Sequence, residues 1–143
     1  MTIADQGNAR KMTHAQGKFD IASWDEEPYV EIDEARKLTR ATVTQRFSGD
    51  ITGDGAVQWL MFYRPDSTAD FVGMQHVEGT LGDRRGSFVL ETTGTFDGSK
   101  AAAGWTVVVG SGTNGLEGLQ GTGRMEAPMG STATYELEYH FAR

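Results

Sequence analysis

QWLMFYRPDSTADFVGMQHVEGTLGDRRGSFVLETTGTF, residues 58–96, is the stretch whose reading decides the fold. It contains runs rich in Thr, Val and aromatic residues, near 56–64, 69–80 and 86–96, separated by the turn-forming clusters RPDST and LGDRRG. No run carries a helical apolar stripe. Outward from this stretch the pattern repeats, with runs near 17–24, 37–48, 101–109, 118–127 and 133–142 set apart by SGDITGDG, FDGSK, GSGTNG and APMGS. Eight strands with mostly short connections predict an all-β domain, a single antiparallel up-and-down barrel whose closure removes exposed edges. A two-layer sandwich of the same strands is the alternative. Residues 1–15, polar and unpatterned, read as a flexible N-terminal arm, and residues 16–143 as one barrel domain.

Composition narrows the function classes. The chain has 143 residues, net charge -7, no cysteine, 38% hydrophobic and 23% charged residues. A disulfide framework, a thiolate nucleophile and Cys-ligated zinc are excluded, and the acidic balance argues against a nucleic-acid partner. No apolar run approaches the roughly 18 residues of a membrane span, and the first 15 residues hold no apolar signal-peptide core. A cytoplasmic protein with no membrane partner is expected.

Register assigns the faces. With Phe62 opposite Phe71 across RPDST, Leu60 meets Gly73 and Gln58 meets Gln75. A Gly82–Asp83 turn sets Val77 opposite Phe88 and Gln75 opposite Leu90, and the DGSK turn sets Thr92 opposite Trp105. Across SGDITGDG, Val43, Gln45 and Phe47 meet Leu60, Gln58 and Ala56. The predicted interior collects Val43, Phe47, Leu60, Phe62, Phe71, Val77, Phe88, Leu90, Phe96, Trp105, Val107, Leu137, Tyr139 and Phe141, with Gly73 and Gly94 leaving room for rings. Val57, Trp59, Met61, Val72 and Met74 then form an outer apolar band, from which a homo-oligomer is expected.

The motifs SWDE (23–26), LTRATV (38–43), FSGD (47–50), LMFYRPD (60–66), FVGMQHVEGTLG (71–82), GSFVLETTGTFDG (86–98) and GSGTNGLEGLQGTG (110–123) resemble, as an ordered set, a bacterial family of uncharacterised small proteins with an allene-oxide-cyclase-like β-barrel. The resemblance covers about residues 16–142. Related barrels include plant allene oxide cyclase, bacterial spirocyclases and dirigent proteins. It therefore implies a lumen that shapes an apolar guest, while implying no particular reaction. Family members often carry acidic residues where this chain has Gln58 and Gln75, which weakens the case for a lumenal carboxylate base.

The expected ligand-binding residues are Gln45, Gln58, Gln75, Phe62, Phe71, Leu90, Trp105 and Tyr139. Three amides on neighbouring strands can orient a carbonyl or hydroxyl of an apolar guest, but amides do not titrate near neutrality. Tyr63 and Tyr139 are the candidate catalytic residues, as phenols able to donate to a developing oxyanion. Against this stands core packing with one polar tip. Trp24 can line a cavity. Asp20, Asp25, Glu26 and Glu27 read as a solvated entrance loop, because adjacency in sequence does not build facing acids. His14, His76 and His140 lack metal-ligand spacing, so no metal is expected, and no cofactor is required. GSGTNGLEGLQGTG precedes another strand rather than a helix and reads as turn chemistry, not a phosphate loop.

The function expected from these observations is a barrel binding a small hydrophobic molecule, with a cofactor-independent cyclase or isomerase as its catalytic form. A non-catalytic carrier or sensor of hydrophobic metabolites, or a filled oligomeric scaffold, is the alternative.

Overall fold

The computed structural model describes residues 12–142. Eight antiparallel strands, β1 (Thr13–Glu31), β2 (Lys37–Gly49), β3 (Ile51–Tyr63), β4 (Ala69–Leu81), β5 (Arg84–Phe96), β6 (Lys100–Val107), β7 (Leu119–Pro128) and β8 (Ala133–Phe141), close in sequence order into one barrel. β1 completes the ring by pairing with β8 from Thr13↔Tyr139 to Phe19↔Ala133. Closure excludes the sandwich. The strand takes in Thr13–Ala15, the end of the segment read as an arm, and residues 1–11 lie outside the described residues.

Alternation drives the strands. In β2, Thr39, Ala41, Val43, Gln45 and Phe47 point inward while their neighbours meet solvent, and β4, β5 and β8 repeat the pattern. The registers expected for Val77↔Phe88, Gln75↔Leu90 and Thr92↔Trp105 all occur. Gly82, at φ 64°, makes the tight turn between β4 and β5.

β3 is the correction. Phe71 pairs with Met61 rather than Phe62, and Val43 pairs with Val57 rather than Leu60. Both displacements are odd, so the two faces of β3 exchange together. The β3–β4 displacement arises in the RPDST turn. The Ser67 amide donates to the Arg64 carbonyl and the Arg64 amide to the Thr68 carbonyl, both at 2.9 Å, with Ser67 left-handed at φ 72°. This is a three-residue loop with a bulge that usually carries glycine, and here serine occupies the position. Val57, Trp59 and Met61 consequently face the lumen, whereas Gln58 and Leu60 face solvent and Phe62 lies outside beneath Arg64. The outer apolar band shrinks to Leu60, Val72 and Met74, which are 46%, 48% and 57% exposed.

The barrel is packed at one end and hollow at the other. At the packed end Phe19, Phe47, Trp105 and Tyr135 stack on one another, with ring centroids 5.1–6.3 Å apart. The Tyr135 hydroxyl accepts from the Ile51 amide at 2.8 Å and donates to the Ser48 carbonyl at 3.0 Å, locking the β2–β3 turn over this plug. Residues 108–113 run beside β5, and Asn114–Leu116 form a short 3-10 turn before β7, in keeping with the turn reading of that glycine-rich segment. No helix among the described residues is long and apolar enough to cross a membrane.

Candidate functional site

At the hollow end, β1 continues beyond its last pair with β8 and stays hydrogen-bonded only to β2. Its register shifts between Ile21 and Ser23. Up to that bulge the odd-numbered residues Phe19 and Ile21 face inward. After it Trp24 stands opposite Val43 and Glu26 opposite Ala41, so the even-numbered residues take the lumenal side.

This overhang forms one wall of a cavity of about 460 Å³. Trp59 and Met61 of β3, Phe71 of β4, Phe96 of β5 and Met125 of β7 supply the other walls, and Met129–Ser131 of the β7–β8 turn close the side facing β1. Trp59 packs between Trp24 and Phe71, with centroids 5.7 and 5.3 Å away. Gly73, opposite Trp59, makes that packing possible, since a Cβ there would lie 2.7 Å from the indole Cδ1. Trp59 is 4% exposed, and its Nε1 is buried without a hydrogen-bond partner.

A polar knot sits on the rim. Glu26 accepts from Trp24 Nε1 at 3.0 Å, from Thr39 Oγ1 at 2.6 Å and from the Tyr63 hydroxyl at 2.7 Å. Partial burial raises the Glu26 carboxyl pKa, but these three donors and the charge of Lys37 outweigh burial and hold it below the ordinary value. Burial, and then the bond to Glu26 and its charge, push the Tyr63 phenol well above its ordinary range. The carboxylate therefore stays ionised at neutral pH and the phenol keeps its proton.

The residues expected from sequence are divided by this arrangement. Phe71 and Tyr63 line the cavity. Gln45 and Gln75 lie buried on the inner face, Gln75 Nε2 donating to Gln45 Oε1 at 2.7 Å, while Gln45 Nε2 is unpartnered. Gln58 and Phe62 point outward, so the amide row has two members. Leu90 and Trp105 belong to the core, Trp105 within the aromatic plug. Tyr139 pairs with Thr13 at the far end, with its hydroxyl near Gly82, and burial raises its pKa. Tyr63 and Tyr139 thus stand at opposite ends and do not form one site. Arg64 ties its turn to Asp70 at 2.5 Å. No cluster of three or more His, Cys, Asp or Glu residues able to hold a metal occurs among the described residues.

Sequence reasoning missed Trp59 and Glu26. Glu26 was visible as part of SWDE, but its lumenal position depends on the bulge after Ile21, which has no glycine or proline to announce it.

The pattern of a family described as "Protein of unknown function (DUF3224)" matches residues 15–139. The chain belongs to the DUF3224 family. The sequence matches none of the curated proteins. Among solved structures this DUF3224 chain is similar to a protein of unknown function of the same family from Shewanella oneidensis MR-1, with 27% identity over 93% of this chain and 99% of that one and a TM-score of 0.80. The bacterial family and barrel expected from the motifs are thereby established.

Proposed function

We propose that this DUF3224 protein is a binding barrel that takes a small apolar molecule into the cavity between the β1 overhang and β3–β7. The observation that carries the reading is that cavity itself. At about 460 Å³ it falls within the span of roughly 300–1,000 Å³ usual for small-molecule pockets, and its walls are aromatic and thioether side chains.

Binding is favoured over proton-transfer catalysis by the chemistry of the rim. Glu26 already accepts three hydrogen bonds and is a poor base, while Tyr63 is a poor acid, so neither group is tuned near neutrality. A cyclase or isomerase would have to act by confinement and orientation of a reactive guest, for which the same cavity suffices.

The test uses the neutral fluorophore prodan. We expect stoichiometric binding to the wild-type protein with a blue-shifted emission, and loss of that binding in Ala101→Trp, where the added ring fills the cavity while circular dichroism reports an intact barrel. Absence of prodan binding to the wild-type protein, together with no apolar compound in native mass spectra of protein purified from its source, overturns the proposal.

A further inference from the structure

From the rim of the cavity we infer that the preferred guest is a hydrophobic organic cation, its apolar body inside and an ammonium head between Glu26 and the rings of Trp24 and Tyr63. This rests on the reading of the cavity as a binding site and names the chemical class that site would take.

The argument begins with what surrounds Glu26. Its hydrogen-bond donors, the Trp24 indole, the Thr39 hydroxyl and the Tyr63 phenol, are all neutral. No Lys or Arg among the described residues forms an ion pair with it. Lys37 acts from farther away, with Nζ 5.1 Å from the Tyr63 ring centroid on an exposed side chain that water screens. The half-buried carboxylate thus has neutral hydrogen-bond donors and no ion-pair partner, and two of those donors, Trp24 and Tyr63, line the apolar cavity beside it.

Two of those donors belong to rings that border the cavity, and their bonds to Glu26 fix how the rings are turned. An ammonium group gains from aromatic faces and from a nearby carboxylate together, and both are preorganised here. A carboxylate head would meet Glu26 at the same position and be repelled. The register explains why this carboxylate alone has the role. The bulge after Ile21 turns Glu26 inward, whereas Asp25 and Glu27 stand opposite Thr42 and Arg40 on the outer face.

Competition for bound prodan by octyltrimethylammonium, 1-octanol and octanoate at physiological ionic strength separates the possibilities, since the three share one chain and differ in the charge of the head. We expect the ammonium to displace prodan at a concentration about tenfold lower than octanol, with octanoate weakest. Glu26→Gln should erase the difference between ammonium and octanol while octanol still competes. Glu27→Gln removes the same charge from the outer face and should leave the preference intact. Trp24→Leu, which keeps every charge, should reduce the ammonium preference and so covers the case in which Glu26→Gln does not fold. Displacement without preference for the cation, equal losses in Glu26→Gln and Glu27→Gln, or octanoate binding tightest each overturns the inference while leaving the binding reading standing. Failure of prodan to bind at all, together with no apolar compound in native mass spectra of protein purified from its source, overturns both.

Discussion

Gln45 and Gln75 show what a single buried side chain is worth in this lumen. The two amides share one hydrogen bond of 2.7 Å, and Gln45 Nε2 has no partner. Gln75→Leu leaves the remaining amide with both polar atoms unmatched, at a cost of about 1–3 kcal/mol. Replacing both with leucine removes donor and acceptor together and should return stability to within about 1 kcal/mol of the wild type. Urea denaturation of the two singles and the double closes the cycle, and additive losses would mean that the amides act independently. The inward side of these two positions was legible from sequence because the strands carrying them were placed in the right parity. The side taken by Gln58 was not, because it depended on the length of the RPDST loop, where serine rather than glycine takes the left-handed position.

At the scale of the element, the two deviations from expectation have one physical origin. Alternation fixes which residues of a strand share a face, but a bulge changes which face that is. In β3 the change comes from Ser67, held left-handed in the RPDST loop, and in β1 from the shift between Ile21 and Ser23. The first is testable directly. Ser67→Gly relieves the left-handed strain and should raise stability by about 0.5–1 kcal/mol, whereas Ser67→Val should lower it by more than that. Thermal denaturation of the three proteins measures the order, and a valine variant as stable as the serine would contradict the left-handed assignment. The turns at Gly82–Asp83 and DGSK, where glycine marks the reversal, were read correctly from sequence for the same reason: the residue that the backbone needs is the residue present.

The whole molecule depends on a seam between its first and eighth strands. Residues 13–19 of β1 pair with β8, and Phe19 sits at the end of that seam, 1% exposed and packed on Phe47 and Trp105. Phe19→Ala should cost about 3–5 kcal/mol in urea denaturation, because it opens a cavity where ring closure and the aromatic plug meet. The same change at the half-buried Phe96 should cost less. Equal losses would place the stabilising core elsewhere. Past Phe19 the strand leaves the ring, and that departure opens the barrel at one end: the packed end supplies stability while the overhang, paired only with β2, walls the cavity.

What the sequence determined alone was local and repetitive. Eight alternating runs with turn residues between them bury their apolar sides by pairing with one another, so strand number, antiparallel succession and an apolar interior follow from side-chain period and turn chemistry, whereas closure into a barrel rather than a sandwich does not. The tertiary structure decided parity and division. Whether Trp59 or Leu60 entered the lumen, whether Glu26 or Asp25 reached the rim, and which end was filled all turned on single-residue shifts in hydrogen-bond register. The first is set in the loop after β3, where serine rather than glycine takes the left-handed position, and the second in the pairing of β1 with β2, and no residue within the shifted strands records them.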